Sequence, residues 1–238
     1  MDYKYTGIIL GKRDIGEADR IYSIYSLEAG KIQAKAIGVR RLNAKLAGHL
    51  ETATLAEIFT ARTRGIGKIT GAAAVNYFAG IKKNLEAISK VFYVFSRLDK
   101  IIFEQEKDEK IFRLLEKYLE VMEKLSAGAE DSGRMDIITL GFLFKFLEET
   151  GYKMETGKCV DCGNKLQPQN NYFNAEKGGI LCENCKNRQG KRINISSESV
   201  KMLRIFSKNK LESLVKIKVP EKEIKNLKII AEETLNWI

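Results

Sequence analysis

Four cysteines in two closely spaced pairs constrain the fold of this 238-residue chain more than any other feature. The pairs are Cys159 with Cys162 and Cys182 with Cys185, each of the form Cys-x2-Cys, and 19 residues separate them. Each pair places two thiolates on one tight turn, where both can reach the same ion. Two such turns complete a tetrahedron, and the spacing is that of zinc ribbons. The sequence therefore predicts one zinc ion bound by all four cysteines.

The predicted zinc ion has a structural role. Four protein ligands leave no position open for water or substrate, so the site is not catalytic. Few apolar residues surround the pairs, and the metal replaces a core that this segment cannot build. The alternatives are two disulfides, which a reducing cytosol disfavours, and a thioredoxin-like redox pair, for which no strand–helix–strand context exists.

The net charge of +10 favours an anionic partner such as nucleic acid. Residues 1–80 hold 12 Lys and Arg against 7 Asp and Glu, and residues 151–238 hold 17 against 10. Residues 81–150 hold 12 against 14, so two basic ends flank a nearly neutral middle. The alternative is a basic protein without a nucleic-acid role.

Hydrophobic periodicity separates an N-terminal strand region from a helical region. Short runs of period two, broken by glycines, predict a small closed or partly open barrel over residues 1–80. On the second strand Tyr22 shares the polar face of Arg20, which makes it a candidate for base stacking, whereas Tyr25 is expected in the core. From about residue 76 onwards the apolar period becomes three to four, which predicts helices, one of them capped by Asp136.

Basic residues cluster within the predicted barrel. Barrels of the OB type bind single strands by combining a basic groove with aromatic stacking platforms. Arg40 and Arg41, just after Gly38, are the strongest candidates for contacts with DNA. The complete set of predicted DNA-binding residues is Lys12, Arg13, Arg20, Lys31, Lys35, Arg40, Arg41 and Lys45.

Nothing in the sequence supports catalysis. The single histidine, His49, has no serine or cysteine motif placed to use it, and no glycine-rich phosphate-binding loop occurs. No run of about 18 apolar residues predicts a transmembrane helix, and no secretory signal pattern opens the chain. We therefore expect a cytosolic protein that is not an enzyme.

Several segments together resemble the RecO family of recombination mediators. Residues 7–20 resemble its opening strand and turn, and residues 30–41 resemble the next strand pair with its basic turn. Residues 146–152 resemble its helix end, and residues 159–163 and 178–185 resemble its two cysteine knuckles. The likeness is collinear over essentially the whole chain. One departure is residues 51–53, where the family commonly has a Pro-aromatic pair.

The resemblance implies an α+β fold with an N-terminal OB-fold β-barrel and a central and C-terminal α-helical domain that carries an inserted zinc-ribbon-like module. The implied domains are residues 1–80 for the OB fold, 81–157 and 191–238 for the two helical parts, and 158–190 for the four-cysteine zinc module.

The resemblance also implies a function in DNA repair without ATP hydrolysis. Such a protein binds single- and double-stranded DNA and anneals complementary strands. With RecR it helps to load RecA onto DNA coated by single-strand-binding protein (SSB), whose acidic C-terminal tail binds the helical part. It has no membrane partner and works in the cytoplasm, at the nucleoid. The alternatives are a zinc-ribbon RNA-binding or transcription-associated factor and a scaffold whose basic ends only aid solubility.

Overall fold

The chain forms two compact units, Met1–Gly128 and Ala129–Ile238. The predicted four-part division is finer than this and stays a prediction. No helix in the described parts of the chain is long and apolar enough to cross a membrane. The computed structural model describes residues 2–61, 66–128, 132–187 and 191–238.

The first unit contains a closed barrel in which the strand order is β1-β2-β3-β5-β4. Its neighbouring strands are antiparallel except for β3 and β5, which run parallel and pair Ala34 with Gly67 and Lys35 with Lys68. A closed five-stranded barrel of this kind is OB-like, so the predicted fold class is confirmed. The strands are β1 (Asp2–Ile15), β2 (Asp19–Ser26), β3 (Gly30–Ala36), β4 (Leu55–Ala61) and β5 (Gly67–Asn76).

Strand β1 is long because it pairs with both of its neighbours. Its first half pairs with β4 and its second half with β2, and a bulge between Ile9 and Gly11 lets it bend from one to the other. Gly7 lies where the two pairings overlap, and a Cβ there would lie 2.5 Å from Cγ2 of Ile24. Close approach of the strands therefore requires glycine at this position.

Both faces of β2 are buried, which corrects one prediction. Tyr22 is fully buried in the barrel core with Ile24 and Ala34, so its assignment as an exposed stacking residue is wrong. Tyr25, on the other face, stacks on Phe112 and its hydroxyl donates to a backbone carbonyl, which confirms it as a core residue. Helices cover the outer face of β2. The face that looks polar in the sequence, which carries Tyr22, therefore points into the barrel.

The helices of the first unit follow the predicted apolar pattern. The side chain of Asn84 accepts hydrogen bonds from two N–H groups at the start of α2, and Asp108 does the same for α3. Both residues are preferred N-caps because their side chains satisfy otherwise unpaired N–H groups. The helices are α1 (Ala79–Lys83), α2 (Leu85–Ile101) and α3 (Glu109–Ser126).

The second unit combines helices with a small sheet of order β7-β6-β8. Helix α4 is buried along most of its length and contacts α5, α6 and α7. At Gly141 a Cβ would lie 2.4 Å from Cδ1 of Leu214, so this glycine permits the close packing of α4 on α6. The elements are α4 (Ser132–Glu149), β6 (Asn171–Asn174), β7 (Gly179–Leu181), β8 (Ile193–Ile195), α5 (Ser197–Lys208), α6 (Leu211–Leu214) and α7 (Glu221–Trp237).

The ends of these helices correct one prediction. Asp136 lies inside α4 and pairs with Lys228 at 2.8 Å, so its assignment as the N-cap is wrong. Ser196 is the N-cap of α5, since its hydroxyl accepts from the N–H of Ser199. Gly151 has φ +93° just after α4, as expected for a glycine that ends a helix.

Candidate metal centre and nucleic-acid interface

The four cysteine side chains of the second unit converge on one point. Their sulfur atoms all lie within 4.8 Å of one another, and Sγ of Cys162 lies 3.8 Å from Sγ of Cys182. A tetrahedron with metal–sulfur bonds of ~2.3 Å has edges of about 3.8 Å. All four residues are free thiols. The predicted ligands are therefore brought together in a site that fits a single tetrahedral metal ion.

Backbone hydrogen bonds shape the turn that carries the first cysteine pair. The N–H of Gly163 donates to the carbonyl of Cys159 at 2.9 Å, and Gly163 has φ +75°. This left-handed conformation is easy for glycine and unfavourable for most other residues. The N–H of Cys159 in turn donates to the carbonyl of Asn164 at 2.8 Å, which closes the turn.

The second pair follows a short hairpin. Gly178, with φ +66°, turns β6 into β7, and Cys182 comes directly after β7. The N–H of Cys185 donates to the carbonyl of Cys182 at 3.0 Å. A further bond, from the N–H of Val160 to the carbonyl of Ile180 at 2.9 Å, ties the first turn to this hairpin. The local fold therefore sets the distance between the two pairs.

The electrostatic surroundings of Cys159 favour its thiolate form. Its burial opposes the charge, but backbone N–H groups of Cys162, Cys182 and Asp161 outweigh burial and lower the pKa of its thiol to about 6. One of these bonds, from the N–H of Cys182 to Sγ of Cys159, is 3.4 Å long. A thiolate is the form of cysteine that binds a metal ion.

In the first unit, the β1–β2 turn and the loop after β3 meet at one end of the barrel. The N–H of Arg40 donates to the carbonyl of Ala18 at 3.0 Å, and the N–H of Gly38 donates to the carboxylate of Asp19 at 2.8 Å. These bonds bring together most of the predicted DNA-binding side chains. We call this surface the basic end and define it by Arg13, Arg20, Lys35, Arg40, Arg41 and Lys45.

Two carboxylates hold part of the basic end in place. Asp14 pairs with Arg20 at 2.7 Å and with Arg40 at 3.3 Å, and Asp19 pairs with Lys35 at 2.8 Å. The hydrogen bond from Arg20 lowers the pKa of Asp14, and the bonds from Lys35 and a backbone N–H lower the pKa of Asp19. Both acids are therefore charged at neutral pH, and they orient three of the cations.

The remaining cations of the basic end are exposed and lack such acids. Within the described residues no carboxylate forms an ion pair with Arg13, Arg41 or Lys45. Cations that face solvent without a partner are those most available to an external anion. The basic end therefore keeps a net positive charge after its internal pairs are formed.

The structure places two predicted residues elsewhere. Lys31 is only 8 % exposed, and its ammonium donates to the carbonyls of Asp99 and Ile102 and pairs with the Asp99 carboxylate. It fastens the end of α2 to the barrel, so its assignment to a DNA-binding surface is corrected. Lys12 is exposed but pairs with Glu51 at 3.1 Å.

The sequence did not point to three further residues of the barrel. Lys68 is exposed and lies opposite Lys35 across the parallel pair that closes the barrel. Tyr3 and Tyr5 line a groove of about 620 Å³, with ring centroids 6.2 Å apart and planes inclined by 16°. The alternation Tyr-x-Tyr at the start of the chain is the signal that could have revealed this aromatic pair.

Comparison with known proteins decides the family. A family model described as "Recombination protein O N terminal" matches residues 1–78, and one described as "Recombination protein O C terminal" matches residues 82–237. The DNA repair protein RecO of Dehalococcoides mccartyi is 32 % identical over 237 residues, which cover 100 % of this chain and 90 % of that protein.

The chain belongs to the RecO family. Further RecO relatives are those of Desulforamulus reducens, 28 % identical over 92 % of this chain and 82 % of that protein, and of Halalkalibacterium halodurans, 26 % identical over 97 % and 87 %. Both relatives are named DNA repair proteins. The resemblance to the RecO family is thus confirmed, and the chain is a member of a DNA repair and recombination family.

Proposed function

We propose that this RecO-family chain is a recombination mediator without catalytic activity that binds single- and double-stranded DNA and anneals complementary strands. With RecR it helps to load RecA onto SSB-coated DNA in the cytoplasm, at the nucleoid. The observation that carries the proposal is the basic end, where Arg40 and Arg41 project from a loop fixed to the barrel.

The charge at the basic end suits phosphate binding. Exposed cations that contact DNA phosphates release condensed counterions, and this release supplies most of the affinity that does not depend on sequence. Phosphate contacts position a strand without occupying its base edges. A strand bound in this way keeps its bases free to pair with a second strand, which is the requirement for annealing.

The groove lined by Tyr3 and Tyr5, which also contains Glu104, supports contacts with single strands. Half-buried Tyr3 and Tyr5 present two nearly parallel rings in this groove, which also contains Ala34 next to Lys35. Aromatic platforms next to cations bind single strands by stacking, whatever the base. We propose that bases of a bound single strand stack here while phosphates contact Lys35 and Lys68.

We propose one structural zinc ion in the second unit, bound by Cys159, Cys162, Cys182 and Cys185. Four thiolates in tetrahedral arrangement suit zinc. The ion would link the first cysteine turn to the β6–β7 hairpin and so stabilise a segment with a small apolar core. Among the described residues this core buries Leu181 with Cys159 and Cys185, and Val160, Leu166 and Tyr172 pack against it half-buried.

A groove of about 490 Å³ in the second unit supports the proposed contact with the acidic tail of SSB. Phe144, Met154 and Leu203 supply apolar lining, and Lys208 and Arg204 supply positive charge. Acids lie there too, but Glu148 is engaged by Lys153 and Glu155 by backbone N–H groups. An acidic peptide with apolar side chains is complementary to such a groove.

Binding of DNA and RNA oligonucleotides of the same sequence tests the proposal against the RNA-binding alternative. We expect tight binding of DNA in fluorescence anisotropy, and a loss of about tenfold or more in the Arg40→Glu, Arg41→Glu variant. A matched control, Lys100→Glu with Lys107→Glu, reverses two charges on α2 and in the segment after it. A clear preference for RNA supports the RNA-binding alternative. If the Arg40→Glu, Arg41→Glu variant is folded and binds DNA as tightly as the Lys100→Glu, Lys107→Glu control, the proposed DNA-binding surface is contradicted.

A further inference from the structure

The loop between β3 and β4 exposes two aliphatic side chains. Leu42 has 105 % of its reference accessible area, so no residue in the described parts of the chain covers it, and Ile37 is 54 % exposed. Single exposed aliphatic residues are common on protein surfaces. These two lie within six residues of one another in the loop that also carries Arg40 and Arg41, and this combination requires an explanation.

The loop is held firmly on both sides of Leu42. Before it, Val39 is buried in the barrel core, and after it, Leu46 and Ala47 pack against the same core. The N–H of Arg41 donates to the carbonyl of Gly38 at 3.1 Å, and the N–H of Ala44 donates to the carbonyl of Arg41 at 3.0 Å. Leu42 therefore projects from a turn with a defined conformation.

The charges around this apolar tip identify a suitable partner. Arg40 and Arg41 directly precede Leu42 and Lys45 follows it, and all three cations are exposed. A purely ionic contact would need no apolar tip. Duplex DNA offers both kinds of surface, because phosphates flank apolar base faces that become accessible when a base step opens.

We propose that Leu42, together with Ile37 of the same loop, inserts against the bases of bound duplex DNA and unstacks a base step, while Arg40, Arg41 and Lys45 hold the flanking phosphates. Proteins that insert leucine or isoleucine between base pairs use this combination of wedge and phosphate contacts. The proposal rests on the proposed DNA binding at the basic end. It adds local opening of a duplex to the binding and annealing of strands.

Duplex DNA with 2-aminopurine in its central region tests the insertion, because the fluorescence of this base rises when it unstacks. At saturating protein and low salt, we expect wild type to raise the signal severalfold, and Leu42→Ser to leave it close to that of free duplex. Leu85→Ser is the matched control, since Leu85 is 82 % exposed at the start of α2 without flanking arginines. This control should behave as wild type does.

Binding is measured on the same samples by anisotropy. Leu42→Ser should bind the duplex with the same salt dependence as wild type, because every phosphate contact is retained. A full fluorescence rise in Leu42→Ser with binding intact overturns the insertion, and so does wild type that binds the duplex without any rise. Absence of duplex binding by wild type overturns instead the DNA-binding function on which the insertion rests.

Anionic lipid vesicles provide the last arm of the test, because a basic loop with an apolar tip can also dock on a membrane surface. We expect wild type and Leu42→Ser to sediment equally little with vesicles rich in phosphatidylserine. Strong sedimentation of wild type that Leu42→Ser abolishes, without any 2-aminopurine signal, overturns the proposal and assigns the tip to a membrane.

Discussion

Replacing Arg40 and Arg41 together by glutamine removes two cations from the basic end while keeping long polar side chains. The fold should tolerate the change. Arg41 forms no ion pair within the described residues, and Asp14 keeps its closer partner Arg20 at 2.7 Å when Arg40 is lost. An exposed pair of this kind contributes about 0–1 kcal/mol to stability, so a loss of DNA affinity would not reflect unfolding.

The magnitude of the loss follows from counterion release. Each phosphate contact with a single strand adds about 0.7 to the slope of log K against log salt concentration. Removing both arginines should therefore lower the slope by about 1.4. Over a fourfold rise in salt, wild type should lose about sevenfold more affinity than the variant.

Fluorescence anisotropy with a labelled single strand, over a series of salt concentrations, measures both slopes. The variant Lys100→Gln with Lys107→Gln removes the same charge from α2 and the segment after it and should keep most of the wild-type slope. Equal slopes for wild type and the Arg40→Gln, Arg41→Gln variant would refute the assignment of phosphate contacts to these residues. An equal decrease of the salt slope in both double variants would show that the net charge of the chain, and not the position of the arginines, determines DNA affinity.

Three further changes test other parts of the structure. Cys159→Ser should reduce bound zinc far below one equivalent by elemental mass spectrometry and lower the melting temperature by roughly 5 °C or more, and retained metal would contradict the site. Lys31→Met should cost about 1–3 kcal/mol in urea unfolding, because the carbonyl of Ile102 loses its donor, without changing DNA affinity. The hydrogen bond from Arg20 lowers the pKa of Asp14 in the folded chain. The ionised carboxylate therefore stabilises the fold fully above the ordinary pKa near 3.8, and this stabilisation is lost as the pH falls below that value. Asp14→Asn should therefore flatten the acid limb of a melting-temperature profile, and it should also strengthen DNA binding.

The metal centre was predictable because its signal is local. The two Cys-x2-Cys pairs identify all four ligands by their spacing. The glycine at position 163 suits the left-handed turn that the structure contains there. The order of the elements was also readable, since the change of apolar period near residue 76 coincides with the end of β5 at Asn76. Both inferences rest on spacing along the chain, which a single sequence shows directly.

The roles of Tyr22 and Lys31 were not predictable in the same way. Alternation along β2 separates two faces, but it does not tell which face meets the barrel interior when helices cover the other one. Lys31 looks like any exposed lysine in the sequence, and only the position of α2 reveals the carbonyls that its ammonium satisfies. Tertiary contacts decide these cases.

The neighbours of the basic end were hidden for a related reason. Lys68 meets Lys35 only because β3 and β5 pair in parallel and close the barrel, and no local pattern specifies that pairing. Asp136 was misassigned as a cap because helix α4 extends back to Ser132 in the described residues. Element types were therefore predictable, whereas element ends and non-local pairs were not.

The rate at which two complementary oligonucleotides pair is the most direct test of the proposed function. With dyes on the two strands, energy transfer reports pairing, first with naked strands and then with SSB-coated strands. We predict that wild type accelerates pairing in both cases at low salt, and that the Arg40→Glu, Arg41→Glu variant does so far less. If pairing is no faster with wild type than without protein, this chain does not anneal DNA and the proposed function is contradicted.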